Sequence, residues 1–222
     1  NLITIRHLPK KLMARRSDIL TTYLRLSLKL IIFDWLLGQK ITNEVVFGYH
    51  IRFLSYYHFV RLFEETYLRN EYYFQAKNDH PVIIDAGSNM DTPIYFKWLY
   101  PSASIIAFEA NPVTFELLKL NVTANKFKGI QLHNVALLDK EERIDFFSNK
   151  NDRGTGLASV YKSAAASRYE VSFSQKVLTK KLSTFINKPI DFLKIDIEGA
   201  ENLVLAELDK SKKIKLIKQM AI

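Results

Sequence analysis

Residues 81–93 read Pro-Val-Ile-Ile-Asp-Ala-Gly-Ser-Asn-Met-Asp-Thr-Pro, and this stretch decides the fold. The apolar run after the first proline is typical of a strand buried on both faces of a parallel sheet. Gly87 allows a sharp turn, and Thr92, followed by proline, is predicted to cap a helix. A second buried strand over 104–108 ends in Glu109. Strand, glycine turn, helix, strand and acid together predict a parallel α/β fold.

The ligand class follows from that acid and from the glycines that are absent. A carboxylate at the end of the second strand suits a ribose, because it accepts hydrogen bonds from two vicinal hydroxyls. A dinucleotide site needs three glycines in the turn, whereas Asn89 and Thr92 stand where the second and third would be. S-adenosylmethionine has a ribose but no phosphate, so the sequence predicts it as the cofactor. The alternative is a parallel α/β domain with a tight turn and no such ligand.

A second stretch, residues 190–201, reads Ile-Asp-Phe-Leu-Lys-Ile-Asp-Ile-Glu-Gly-Ala-Glu. It predicts a buried strand with Asp196 and Glu198 at its carboxyl end, where open α/β sheets bind ligands. A helix is predicted to begin after Gly199. The two carboxylates are therefore candidate site residues; the alternative is that they are ordinary helix-start acids. Lys194 lies on the same side of the strand as Asp196, so it is either an ion-pair partner or a packing residue.

Composition limits the possible functions. The chain has 222 residues, enough for one large domain or one domain with an appendage, and 48% of them are hydrophobic. The absence of cysteine excludes disulfides, thiolate metal sites and a thiol nucleophile, and no metal site is predicted. The net charge of +9 allows an anionic substrate, a membrane surface or nucleic acid. No nucleic acid is expected, because the lysines are not interleaved with aromatic residues, and a solvated basic surface is the plainer interpretation.

The first forty residues are predicted to be helical, because apolar residues recur at helical spacing from Ile19 to Trp35. The favoured interpretation is a helix that packs on the domain or on a second copy, as in a homodimer. The alternative is a basic amphipathic helix in peripheral contact with a membrane. Arg25, Lys29 and Asp34 make the stretch a poor transmembrane span, and no secretory signal is visible, which predicts a cytoplasmic protein.

The remaining elements follow from periodicity and turn residues. They are two strands about Gly48 over 44–53, a helix over 59–74, a helix from Pro112 capped by Asn111, strands over 130–138, 143–147 and 169–178, a loop over 149–159, a helical turn over 182–186 and a last strand over 217–222.

Three motifs resemble the FkbM family of S-adenosylmethionine-dependent methyltransferases. They are Ile-Asp-Ala-Gly-Ser-Asn at 84–89, Ala-Phe-Glu-Ala-Asn-Pro at 107–112 and Phe-Leu-Lys-Ile-Asp-Ile-Glu-Gly-Ala-Glu at 192–201. The resemblance covers a domain over 45–222 and leaves 1–44 as a helical N-terminal extension. It implies a class I methyltransferase fold, in which helices flank a mostly parallel, Rossmann-like sheet. It also implies methyl transfer, usually to a hydroxyl oxygen of a glycan or small metabolite.

The same resemblance implies roles for individual residues. The implied cofactor-binding residues are Asp85, Gly87 and Asn89 on the methionine side, Glu109 at the ribose and Asp196 near the sulfonium, together with Ser88 of the first turn. Asp196 and Glu198, which is expected near the acceptor, are the candidate catalytic carboxylates, since a hydroxyl must lose a proton as it attacks. Which of the two is the base is left open.

The chain departs from the family pattern in two places. Asp91 stands where the family usually has a second glycine, and the chain ends at Ile222, where the family usually continues with two further strands. Missing strands are expected to leave 217–222 at an exposed sheet edge. Asp91 is interpreted as a helix-start acid that crowds the site, so that Asp91→Gly tightens cofactor binding. The alternative function is a degenerate methyltransferase fold that acts as a binding or scaffolding module without catalysis.

Overall fold

The N-terminal part of the chain forms a helical layer with one hairpin. The structure is a computed structural model, which describes residues 10–148 and 173–222. The elements of the N-terminal part are α1 (Lys10–Met13), α2 (Arg16–Lys29) with a π-helical continuation (Leu30–Leu36), β1 (Asn43–Val46), β2 (Tyr49–Arg52), and α3 (Tyr56–Phe63) with a π-helical continuation (Glu64–Leu68). β1 and β2 pair antiparallel through the turn Phe47-Gly48. Both turn residues have positive φ, 51° and 85°, as tight hairpin turns require. The hairpin predicted about Gly48 is confirmed.

A five-stranded parallel sheet forms the centre of the molecule. The remaining strands are β3 (Val82–Ala86), β4 (Ser104–Phe108), β5 (Ile130–His133), β6 (Ala136–Leu137), β7 (Arg143–Ser148), β8 (Phe173–Lys180), β9 (Phe192–Ile195) and β10 (Met220–Ala221). The parallel sheet has the order β10-β9-β3-β4-β5, and a smaller sheet has the order β6-β8-β7. Because β3 lies between β9 and β4, the carboxyl ends of these three strands meet at one edge of the sheet.

Helices cover the sheet and connect its strands. They are α4 (Thr92–Leu99), α5 (Pro112–Ala124) and α6 (Glu201–Lys210), with 3₁₀ turns at Leu182–Phe185 and Lys213–Leu216. Every residue of α4 is buried, including Lys97, whose ammonium donates to the carbonyl oxygen of Ala103 at 2.6 Å. The predicted α/β fold, a mostly parallel sheet flanked by helices, is confirmed.

The helix predicted in the N-terminal extension packs on the domain. Ile19 and Leu26 of α2 lie in the same apolar cluster as Phe63 of α3 and Ile94 of α4. The buried carboxylate of Glu44 in β1 holds this layer in place, because it pairs with two cations of α2. Arg25 lies at 2.9 Å and Lys29 at 2.7 Å from its oxygens. Burial raises the pKa of Glu44, but the hydrogen bonds from both cations outweigh it and leave the pKa below its usual value.

Several predicted boundaries are wrong. The strand expected over 130–138 breaks at Asn134, whose side-chain amide donates to the carbonyl oxygen of Glu109 at 2.8 Å, so that β6 joins the smaller sheet instead. The helix expected over 59–74 begins at Tyr56, after a cap by Ser55, and its π-helical continuation ends at Leu68, two residues before Asn70 takes a positive φ of 59°.

The outer strands also differ from prediction. The strand expected over 169–178 continues to Lys180, two residues further than predicted. Its expected first residues, 169–172, and the loop expected over 149–159 lie outside the described residues. The last strand is confirmed as the fifth parallel strand at a sheet edge, but only residues 220 and 221 of the expected 217–222 pair with β9. One earlier bridge joins Ile217 to Ile190.

Candidate active site

The turn after β3 is held against the ends of both neighbouring strands. The amides of Gly87 and Ser88 each donate to the carbonyl oxygen of Phe108, at the end of β4, at 2.9 Å. Gly87 has a φ of +80°, and a Cβ there would lie 1.8 Å from the carbonyl oxygen of Asp196, at the end of β9. Glycine is therefore required twice at this position, for the backbone conformation and for the close approach of the two loops.

Glu109 follows β4, and backbone amides fix its carboxylate. Oε2 accepts from the amide of Asn89 at 2.9 Å, and Oε1 accepts from the amide of Asn111 at 2.8 Å. Asn89 has a positive φ of 49°, a conformation that asparagine tolerates, and Asn111 caps α5 through Val113 as predicted. Burial raises the pKa of Glu109 to about 7, although the two amide hydrogen bonds oppose the shift.

A buried ion pair lies beneath the turn. Asp85 and Lys194 expose 0% and 1% of their side chains and lie 3.5 Å apart. The Lys194 ammonium also donates to the carbonyl oxygen of Gly87 at 2.5 Å. Burial raises the pKa of Asp85, and the ammonium opposes that shift. Lys194, for which ion pairing and packing were both left open, is thus an ion-pair partner that ties β9 to the first turn.

The second carboxylate of the site, that of Asp196, is more exposed to solvent. Its side chain is 49% exposed and lies 3.9 Å from the Lys194 ammonium. The hydroxyl of Tyr72 donates to its Oδ2 at 2.7 Å. The Lys194 ammonium also lies 4.7 Å from the centre of the Tyr72 ring. Burial and then the negative charge of Asp196 raise the pKa of Tyr72, so its hydroxyl stays protonated and remains a donor.

The loop after Asp196 is shaped by the first residue of α6. Glu198 and Gly199 both have positive φ, 59° and 109°. The carboxylate of Glu201 accepts from the amides of Ile197 and Gly199, each at 3.0 Å. Both amides precede Ala200, the N-cap of α6, so these bonds fold the loop back onto the start of the helix and set the path of the segment that carries Glu198. Gly199 exposes its backbone at the rim, while Ala200 is buried.

These loops line an open pocket between the first turn and the loop after Asp196, and this pocket is the cavity of the candidate site. One wall is apolar and comes from the second sheet and β4, and a second wall comes from α3 and the segment after it. The residues on these walls are Phe108, Val135, Leu137 and Phe146 on the first, and Leu62, Thr66 and Tyr72 on the second.

The structure brings five predicted site residues together around the cavity. These are Gly87, Asn89, Glu109, Asp196 and Glu198. Asp85 and Ser88 do not line it; both have 0% exposure and lie beneath the turn, so their expected contact with a cofactor stays a prediction. Tyr72, Thr66 and Leu62 line the cavity without having been predicted. No local signal marks Tyr72, because its partner Asp196 lies 124 residues further along the chain.

Asp91 lies outside the cavity wall, at the start of α4. Its side chain is 1% exposed and makes no capping hydrogen bond, and its Oδ1 has no hydrogen-bond partner among the described residues. Burial raises its pKa to about 7, opposed by the charge of Lys194. Thr92, predicted as the cap, is instead the first helical residue, and its hydroxyl donates to the carbonyl oxygen of Ser88 at 2.8 Å. The carboxylate of Asp91 therefore occupies the core rather than the ligand space.

A family model of the methyltransferase FkbM domain matches residues 79–222, more than half of the chain. The chain belongs to the FkbM methyltransferase family. The matched region contains all seven predicted site residues, whereas the cavity wall formed by Leu62, Thr66 and Tyr72 precedes it. Across residues 10–148 and 173–222, no group of three or more His, Cys, Asp or Glu side chains is placed to hold a metal ion.

Two curated proteins are similar to this chain. Methyltransferase 1 of Beauveria bassiana (strain ARSEF 2860) is 30% identical over 148 residues, which cover 59% of this chain and 59% of that protein. Methyltransferase sdnD of Sordaria araneosa is 27% identical over 190 residues, which cover 71% of this chain and 73% of that protein. The chain therefore spans less than two thirds of the length of the first relative.

One solved structure is also similar. It is the crystal structure of methyltransferase FkbM from Methylobacillus flagellatus KT, with 12% sequence identity and a TM-score of 0.46. The superposition covers 93% of this chain and 48% of that chain.

Proposed function

We propose that this protein transfers a methyl group from S-adenosylmethionine to a hydroxyl oxygen of a glycan or small metabolite. The observation that carries the proposal is the carboxylate of Glu109. It borders the cavity at the end of β4, and the amides of Asn89 and Asn111 fix its orientation. An acid at this position is suited to the two hydroxyls of a ribose.

The residues around the first turn fit this cofactor. A carboxylate has about four acceptor sites, and the two amides use only two of them, so Glu109 keeps acceptor sites for two ribose hydroxyls. The turn has a single glycine and packs tightly on Asp196, which leaves no glycine-rich cradle for a pyrophosphate. The fit therefore favours a nucleoside without phosphates over a dinucleotide.

Asp196 is the proposed proton acceptor. When bound, S-adenosylmethionine supplies a methyl group on a sulfonium, and transfer needs the acceptor oxygen in line with that methyl. Asp196 is the exposed carboxylate at the rim, and the Tyr72 hydroxyl together with the Lys194 ammonium fixes its position. A carboxylate held in this way can take the proton of an attacking hydroxyl. Glu198, on the same loop, also lines the cavity, and we assign it to the acceptor side.

A thermal unfolding experiment tests the cofactor class. We expect S-adenosylhomocysteine, the product of methyl transfer, to raise the melting temperature of the protein in a concentration-dependent way, because a ligand that binds only the folded state stabilises it. NAD, which shares the ribose and the adenine, is the matched control and should leave the melting temperature unchanged. Stabilisation by NAD alone would reverse the assignment.

A further inference from the structure

The N-terminal helix exposes a continuous row of large apolar side chains. Leu20, Leu24 and Leu28 of α2 follow one another at intervals of four residues, and Ile31 and Trp35 continue the row in the π-helical segment. Their exposed fractions are 40%, 65%, 58%, 45% and 69%. Residues three to four apart share one side of a helix, so these five form one surface, here named the apolar ridge.

The ridge is separate from the face by which the helix packs on the domain. Ile19, Leu26 and Leu30 make that packing contact and are buried. Eight of the 17 exposed large hydrophobic side chains in the described part of the chain lie between Met13 and Leu37. Apolar exposure concentrated in one place marks an interaction surface, whereas single exposed apolar side chains are ordinary.

The charges around the ridge identify the kind of partner. Residues 10–40 contain seven lysines and arginines but only two acids, Asp18 and Asp34. Two of the cations, Arg25 and Lys29, pair with Glu44 of β1. The other five precede or follow the ridge in the sequence: Lys10, Lys11, Arg15, Arg16 and Lys40. The preceding sequence adds Arg6 and no acid. A helix with an apolar side, a tryptophan and an excess of cations fits the boundary of an anionic lipid layer, where acyl chains meet negative headgroups. We propose that the apolar ridge docks this protein on an anionic lipid surface, with α2 lying in the plane of that surface.

Two other arrangements fit the observations less well. In the described part of the chain, no helix is both long enough and apolar enough to cross a bilayer, so the ridge would lie on the membrane rather than span it. Pairing with a second copy would bring together two segments that each carry the excess of cations over 10–40, and the like charges would oppose association. An anionic surface instead gains from the same charges. The proposal does not depend on methyl transfer.

Sedimentation with lipid vesicles tests the proposal. We expect the protein to sediment with vesicles of phosphatidylcholine mixed with phosphatidylserine, and less with vesicles of phosphatidylcholine alone. Added salt should weaken the binding, because it screens the attraction between cations and headgroups. The emission of Trp35, which is 69% exposed, should shift to shorter wavelength on binding, whereas Trp98, at 7% exposure, provides a constant background. Trp35→Phe should remove the shift.

Paired substitutions separate the ridge from a general charge effect. Leu24→Glu with Leu28→Glu should weaken vesicle partitioning roughly tenfold or more, because both leucines leave the lipid and two negative charges enter. Leu120→Glu with Leu203→Glu is the matched control, since it makes the same change at exposed leucines of α5 and α6 and should lower binding far less. Circular dichroism checks that each variant is folded.

Three results would overturn the proposal. The first is no binding to the anionic vesicles by the unchanged protein. The second is an equal loss of binding in both double variants, which would assign the effect to charge alone. The third is a stable dimer, seen by light scattering, that the ridge substitutions dissociate; the ridge would then be an interface between two copies.

Discussion

The two loops that meet at the cavity hold their carboxylates by different means. In the first, backbone amides of Asn89 and Asn111 hold Glu109, whose pKa burial raises to about 7. In the second, side chains hold Asp196, which is 49% exposed and receives a hydrogen bond from Tyr72. A carboxylate fixed by the backbone is suited to recognise a constant part of a ligand. A carboxylate that is exposed and held by side chains is suited to contact a reacting group, because its position can adjust to different acceptors.

The two loops pack directly against each other where Gly87 meets the backbone of Asp196. The carbonyl oxygen of Asp196 lies where a side chain at Gly87 would begin, and the Lys194 ammonium bonds to the Gly87 carbonyl from below. A change in the first loop therefore displaces the second. We therefore expect substitutions at the contact between the loops to cost much stability, and substitutions of a single side chain that orients one carboxylate to cost little.

The largest effect is expected at the contact itself. Gly87→Ala should destabilise the protein by about 4 kcal/mol or more, because the new methyl overlaps the Asp196 backbone and the residue keeps a positive φ. Gly48→Ala is the matched control, since Gly48 has a φ of +85° but nothing within 4 Å of an added Cβ. Its cost should be about 1–2 kcal/mol, that of the backbone conformation alone. Equal costs in denaturant titrations would show that the loops do not constrain each other.

A smaller effect on stability is expected at Asp91, whose carboxyl group belongs to the first loop but is buried in the core. Its folded-state pKa is raised, so the folded protein binds this proton more tightly than the unfolded chain does. Wild type should therefore lose stability as pH rises from about 4 to about 7. Asp91→Asn removes the ionisable group, so the stability of the variant relative to wild type should rise across that range, by at most about 4 kcal/mol at pH 8.

Thermal melts from pH 4 to pH 8 measure this difference. Asp18→Asn, at an exposed carboxyl of α2, controls for the loss of one negative charge. A gain for Asp91→Asn that is constant with pH would contradict the buried-acid account. Since the Asp91 side chain lies outside the cavity wall, we expect a change in stability here rather than the tighter cofactor binding inferred from sequence for Asp91→Gly.

The smallest effect is expected at Tyr72, which orients Asp196. Tyr72→Phe removes one hydrogen bond at a half-exposed carboxylate, so stability should fall by less than about 1 kcal/mol. If Asp196 lies beside the cofactor, S-adenosylhomocysteine should bind about threefold to tenfold more weakly. Tyr57→Phe, at an exposed tyrosine of α3, is the control. Unchanged affinity in calorimetric titration would make the Tyr72 bond a structural contact only.

The same comparison explains what could be predicted from sequence. The first loop depends on neighbours close in the chain: Gly87 follows its strand, and Glu109 bonds to amides 20 and two residues away. Strand ends, a glycine and an acid are visible signals of such a site. The second loop depends on Tyr72, 124 residues from Asp196, and only the folded chain shows that pairing. The prediction that Asp91 crowds the site failed for a similar reason. The sequence shows that Asp91 lies at a helix start, but only the folded chain shows that its side chain is buried in the core.

The central claim is that Glu109 holds the ribose of S-adenosylmethionine, and titration calorimetry with S-adenosylhomocysteine tests it most directly. Glu109→Ala should weaken binding at least about tenfold at pH 8, because hydrogen bonds to a charged group are lost. Glu116→Ala, at an exposed acid of α5, should not. Wild-type affinity should also fall about tenfold from pH 8 to pH 6, as the Glu109 carboxyl gains a proton. An unchanged dissociation constant in a folded Glu109→Ala protein, or no binding by wild type, would contradict the account.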